Sequence, residues 1–475
     1  MTQQITNPLP LPVQDGHVPA LVPASPRRES WLSRLGVFSF LALACLLMSL
    51  FAGLALQGYL SLSTQRQTSR VNAKRIVKPD ASESTPLLMP GGAESAKLQL
   101  TAQQYYIYEQ GNGLFVASTS ETKAQQISTP GYAYNRAVPP LLTPANQVLY
   151  SGNGLWLTDV FNGTAKQIAP LPTGQVITSL ALSSDGSTVA WSTEPINGLG
   201  NVTLYAGPLG QATPMYTHDA TDCPCFRVFS FLPQGTTSTT SDSMLLLTDD
   251  RGDHHVVQYG LWTLNLSDNA QATPQPLLDG NAPQGPLTLS SDGKRLLYSS
   301  YEGVVPVPSD NSVPLDVEGL NYANSMSIAT VATHGSGAKT TVALNSSRII
   351  VPEQHDLSNE AAYHWMMTPL FSPDGRTLVY IEFSADAQIP YTRHSALYTV
   401  SLTGTGNSPS VGKPRLLATT DEPYIELGTW LNNSVVTFYA ENTLYALDVT
   451  SGATTRLLQP LTYARTVAVV NERKE

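Results

Sequence analysis

Apolar and polar positions follow two regimes along this chain. Between Arg34 and Arg66 no charged residue occurs, and LGVFSFLALACLLMSLFAGLAL, Leu35 to Leu56, is almost wholly apolar. From about Leu98 onward such runs and helical spacings disappear and short alternating segments take over. In PLFSPDGRTLVYIE, Pro369 to Glu382, LFS alternates, Pro373 and Asp374 fall at the centre of a tight turn with Gly375 following, and RTLVYIE forms a second strand-like segment. Period-two alternation buries one side of a strand, and Pro-Asp-Gly is turn chemistry, so the stretch predicts a β-hairpin. Near copies, LALSSDGSTVAWST from Leu180 and LTLSSDGKRLLYSS from Leu287, predict two more.

A third strand follows each hairpin, and it recurs where the Asp-Gly turn does not. GLFVAST at Gly113, GLWLTDV at Gly154, VTLYAGPL at Val202, GLWTLNL at Gly260, SIATVAT at Ser327, ALYTVSL at Ala396 and TLYALDV at Thr443 make seven. Fourth strands are expected from Ala124, Ala165, Ala212, Ala272, Lys339, Lys413 and Thr454. Four antiparallel strands repeated at a period of about fifty residues predict propeller blades. The fold class expected is all-β, a seven-bladed β-propeller with six blades as the alternative, preceded by one transmembrane helix. The first blade, opening at Tyr105, lacks an innermost strand before it, while RTVAVV, Arg465 to Val470, is left over. The expectation is that this last strand completes the first blade.

Charge changes the picture at the front of the chain. Residues 1–80 contribute +5 to a net charge of −10, leaving −15 for the rest. An acidic body repels phosphate backbones, which argues against a nucleic-acid partner. The basic front suits the flanks of a membrane segment, and about twenty apolar residues cross a ~30 Å hydrocarbon core. A cleaved signal peptide is the rival, with Gly53 to Ala55 as its small-residue site, but the run is long and the preceding tail exceeds the usual n-region. The organisation expected is a Pro-rich disordered cytoplasmic tail over 1–34, a membrane helix over 35–62 (Leu35 to Leu62), stalk and linker over 63–97, the propeller over 98–470 and a short tail over 471–475. Both flanks are basic. The short tail favours an amino terminus in the cytoplasm and an extracytoplasmic propeller.

Candidate chemistry concentrates in loops. Connections between second and third strands, and between blades, emerge on one face of a propeller. Here they lengthen at TEPINGLGN, DDRGDHHVVQYG, YEGVVPVPSDNSVPLDVEGLNYANS and FSADAQIPYTRHS. Long loops on one face suggest a recognition patch, with Asp250, Arg251, Asp253, His254, Tyr301, Tyr391 and Arg393 as candidate binding residues. Adjacent histidines point to opposite sides of a strand, so His254 and His255 do not predict a metal site. No cofactor is expected. Cys223 and Cys225 in DCPCFR are disulfide candidates or two thiols, since no second cysteine pair offers a zinc set. Asp185, Asp292 and Asp374 belong to hairpin turns and are assigned to turn geometry. Recurrent aromatics such as Trp191, Tyr205, Tyr380 and Tyr398 are assigned to packing.

The FSPDGRTLVY hairpin with a following LYxxxL strand resembles the repeats of TolB-type propellers, which also form the propeller part of prolyl-oligopeptidase-like enzymes. The resemblance implies the fold. It does not carry over partners, because the amino-terminal domain of TolB is replaced here by tail, apolar run and linker. It does not carry over catalysis either: no G-x-S-x-G elbow occurs in the sequence. The function expected is a membrane-anchored, non-enzymatic platform binding a protein, peptide or glycan, with a propeller hydrolase or lyase as the alternative.

Overall fold

The computed structural model describes residues 98–470 apart from 101–102, 121–123, 222–223, 233–243, 250–258, 268–272, 284–286, 305–321, 335–340, 353–361, 387–392, 404–409, 421–424 and 461. The tail, apolar run and linker assigned to 1–97 therefore lie outside the described residues. Among the described residues no helix is long and apolar enough to cross a membrane.

Seven antiparallel sheets follow one another, each a blade of four strands ordered inner, second, third and outer. Blade 3 shows the scheme, with Gln175–Leu182, Thr188–Pro195, Asn201–Pro208 and Thr213–Asp219 paired in sequence order. Seven sheets exclude the six-bladed alternative. Blade 6 adds a short strand, Ser410–Val411, beside its outer strand Arg415–Thr420. Blade 1 is assembled from both ends of the propeller. Ala464–Val470 is its inner strand and pairs antiparallel with Tyr105–Gln110, from Tyr105 opposite Val470 to Gln110 opposite Ala464. This closure covers the edge that the first blade otherwise exposes.

The turns between inner and second strands share one structure in blades 3, 5 and 6. The hydroxyls of Ser183, Ser290 and Ser372 donate to Asp185, Asp292 and Asp374 at 2.6 Å. The same oxygens accept the amides of Ser187, Lys294 and Arg376 at 2.9 to 3.1 Å. Gly186, Gly293 and Gly375 sit at φ of 66 to 73°, a left-handed conformation that favours glycine. At Asp185 the hydrogen bonds from Ser183 and Ser187 hold the carboxyl below its ordinary range. At Asp292 and Asp374 burial opposes that shift, and the hydrogen bonds outweigh it. All three carboxylates are engaged in the turns.

Recurrent aromatics form a ladder across the second and third strands. Directly opposed pairs stack in five blades: Tyr108 on Phe115, Tyr150 on Trp156, Trp191 on Tyr205, Tyr380 on Tyr398 and Phe438 on Tyr445, with ring centroids 5.0 to 6.5 Å apart and planes within 18°. Each such pair contributes about 0.5–1.5 kcal/mol beyond its area. The apolar core lies between blades. Val379, Ile381 and Phe383 of blade 6, for instance, pack in one cluster with Val436 and Phe438 of blade 7.

Buried polar groups tie neighbouring blades together. The Ser179 hydroxyl of blade 3 accepts the Val228 amide of blade 4 at 2.7 Å. Asn324 of blade 5 meets both backbone groups of Met366 in blade 6, donating to its carbonyl at 2.8 Å and accepting its amide at 3.0 Å. At the closure the Thr429 amide of blade 7 reaches the Thr437 and Thr466 hydroxyls at 2.9 and 3.1 Å. Backbone groups left idle by the strand ladders thus find partners across the blade boundaries.

Candidate functional site

Inner strands start, and second strands end, on the face that carries the interblade connections. Of the residues predicted there, Asp250, Arg251, Asp253, His254 and Tyr391 lie outside the described residues. Tyr301 and Arg393 fall on the second strand of blade 5 (Arg295–Val304) and at the start of the third strand of blade 6 (Arg393–Thr403), so the backbone places both toward the loop face. Cys223 also lies outside the described residues. Cys225 is buried. Its amide donates to Asp249 at 2.8 Å, and its thiol faces the Ala220 carbonyl at 3.5 Å.

The structure reveals a cluster on this face where the loops are short. The connection from blade 1 to blade 2 carries Tyr132, Tyr134 and Arg136, three alternate residues, across the closure seam. Beneath it Arg465, on the closing strand, donates through Nε to Glu109 at 2.7 Å. Its Nη2 is 2.5 Å from the same oxygen without an N–H aligned on it, and its Nη1 is 3.6 Å from Glu426 of blade 7. The other Glu109 oxygen accepts the Tyr132 hydroxyl at 2.5 Å. The other Glu426 oxygen accepts Arg136 Nη2 at 2.9 Å. Tyr134 meets Tyr463 edge to face at 6.0 Å, and the Arg465 guanidinium is 5.9 Å from the centre of the Tyr134 ring.

Burial sets the chemistry of this cluster. The Glu109 side chain is fully buried and those of Glu426 and Arg465 nearly so. Burial works against the Arg465 charge, but Glu109 and Glu426 outweigh it and push its pKa up. Burial, joined by the Glu109 charge and hydrogen bond, raises Tyr132. Tyr134 and Tyr463 are raised chiefly by burial. The tyrosines therefore stay protonated as donors. Two carboxylates and two guanidiniums balance, so the cluster joins four segments of chain without net charge.

Next to the cluster opens a cleft of about 660 Å³. Its cause is a length mismatch: the inner strand of blade 2 has only Leu141–Leu142, whereas that of blade 3 runs over eight residues. The loop-face half of the longer strand, Val176 to Thr178, forms one wall, and Tyr134 to Ala137 form another. Arg227 of blade 4 and Glu194 of blade 3 also line it, paired at 3.2 Å. Val176 and Ile196 on its lining are 40% and 69% exposed, and Leu199, on the same loop as Ile196, is 67% exposed, three of the five large exposed hydrophobics among the described residues. A second chamber of about 530 Å³, toward the Asp-Gly turns, is lined by inner-strand residues such as Ala181, Phe229 and Val467, and no ionisable side chain lines it among the described residues. No group of metal-ligating side chains occurs among the described residues.

Sequence reading weighted loop length and missed this cluster. Its signals were acids and a guanidinium inside apolar strands, Glu109 in YYIYEQ, Glu426 in IELGTW and Arg465 in ARTVAVV, together with the alternation in YAYNR.

No family model matches the chain, and no curated protein matches it. Solved structures that resemble it include a TolB-assigned protein from Agrobacterium tumefaciens, at 14% identity and a TM-score of 0.35 over 77% of this chain and 99% of that one. They also include an oligogalacturonate lyase in complex with manganese, at 12% identity and a TM-score of 0.34 over 73% and 70%. A prolyl endopeptidase matches at 14% and 0.32, over 77% of this chain and 48% of its own. These likenesses extend no further than the fold, which the seven sheets establish on their own.

Proposed function

We propose that this protein is a binding platform that docks a protein or peptide partner on the loop face of its propeller. In this reading the run at 35–62 anchors it in a membrane, with the propeller extracytoplasmic and the 1–34 tail in the cytoplasm. The observation that carries the docking reading is the exposure of Val176 and Ile196 on the lining of one cleft, with Leu199 exposed on the same loop as Ile196. Solvent-facing aliphatic surface forgoes roughly 25 cal/mol per Å² of burial, and clustered exposure marks interaction sites. Arginine and tyrosine beside an apolar rim match the composition of interface hot spots. The hydrolase or lyase reading has weaker support, because the cleft acid Glu194 and its neighbour Glu426 are each bound to an arginine. The membrane reading rests on the length and charge flanks of the apolar run.

A photo-crosslinking amino acid at Ile196 or Leu199, with Ser187 and Lys294 on the turn face as controls, tests the docking reading in intact cells. Discrete protein adducts from the loop-face positions alone are expected. Equal labelling on both faces, or none, as a glycan ligand would give, refutes it. Protease treatment of intact cells tests the topology: the propeller is expected to be cleaved while the tail survives, and survival of both until the membrane is opened refutes that part.

A further inference from the structure

We infer that the cleft between Arg136 and Arg227 takes an extended peptide segment in which an acidic side chain stands next to an aliphatic one. The inference rests on the docking reading and specifies its ligand. Arg136 and Arg227 line the cleft, each paired with a carboxylate, Glu426 and Glu194, so the recess presents fixed guanidinium groups with no surplus of negative charge. The surrounding chain beyond residue 80 carries −15. In a body that repels anions, a charge-balanced recess with guanidinium N–H groups to offer is where an anionic group meets the least repulsion and the most donors.

The geometry supplies the anchor. Arg136 spends Nη2 on Glu426 and its side chain is 29% exposed, so the guanidinium is held in place by a buried acid while it faces the cleft. A guanidinium fixed by one carboxylate offers further N–H groups to a second, which is how planar carboxylate recognition is built. Ile196 and Val176 flank the same recess, and Leu199 stands on the same loop as Ile196. An acid on Arg136 therefore puts the neighbouring side chain of an extended ligand within the apolar rim. Successive side chains of such a ligand point to opposite sides, which suits a recess with charged and apolar walls.

The test is selection of a displayed random heptapeptide library on the full-length chain. Enriched peptides are expected to carry Asp or Glu adjacent to Leu, Ile, Val or Phe. Changing that acid to its amide in the best peptide is expected to weaken binding about tenfold, a measurement that leaves the protein intact. Binding is expected to weaken with added salt and with Ile196→Ser or Leu199→Ser. In Arg136→Gln, with the thermal midpoint followed in parallel, the preference for acid over amide is expected to vanish. Enrichment of basic or uncharged peptides, no enrichment, or indifference to the acid-to-amide change overturns the inference. Loop-face crosslinks to a partner that binds through a basic segment leave the platform reading standing and overturn this one alone.

Discussion

Replacing Arg465 by methionine tests whether the buried cluster holds the ring closed. The substitution keeps much of the volume and leaves Glu109 without a cation, while Glu426 retains Arg136 at 2.9 Å. Removing one partner of a buried pair costs about 3–5 kcal/mol, because the remaining charge is stranded away from water. For a propeller spanning about 370 residues the unfolding entropy is about 0.8 kcal/mol/K, which converts that loss into a fall of about 4–6 °C in thermal midpoint. Differential scanning calorimetry reads it. Arg465→Met combined with Glu109→Gln removes the stranded charge, and about half the loss or more should return. A single-variant shift under about 1 °C, or a double variant less stable than the single, would refute the account.

Three further perturbations reach other parts of the ring. A Cβ on Gly428 would lie 1.7 Å from the Thr466 hydroxyl and 2.6 Å from that of Thr437, so Gly428→Ala should cost about 2–4 kcal/mol, and Thr466→Ala should partly restore it in chemical denaturation. Asn324→Ala orphans the amide and carbonyl of Met366 and should cost about 2–4 kcal/mol, with faster amide exchange at Met366 by mass spectrometry as its signature. Asp185, Asp292 and Asp374 have lowered folded pKa values, so their stabilisation is present above the ordinary carboxylate value and is lost as pH falls through the folded one. The triple change to asparagine should therefore lower the midpoint at neutral pH, with the gap closing below about pH 4.

The blades were readable because their signals are local. A serine-turn-Asp-Gly hairpin is specified within six residues, and an aromatic at the same strand position has its stacking partner directly opposite, as Tyr380 has Tyr398. Closure was readable for a different reason: an unpaired apolar strand, RTVAVV, and a blade missing its inner strand demand each other. The cluster was not readable by those means. Glu109 and Arg465 are separated by 356 positions, and no period relates them to Arg136 or Glu426. The cleft arises from what blade 2 lacks, an inner strand longer than Leu141–Leu142, and a missing stretch of strand leaves no motif. The candidate binding residues in the long loops remain untouched by this comparison, since most lie outside the described residues.

Building one blade from strands 356 positions apart also imposes a timetable on synthesis. At about 5–20 residues per second, Tyr105–Gln110 leaves the ribosome roughly 20 to 70 seconds before its inner partner exists. Throughout that interval the nascent chain presents a strand edge with unpaired N–H and C=O groups, flanked by Tyr106 and Ile107, which are fully buried in the finished ring. The six blades after the first hold all their strands in order and can form as they emerge, so the first segment of the propeller made is among the last to be secured. A ribosome stalled between Leu458 and Ala464 releases a product with every blade but the first able to form and an adhesive edge exposed.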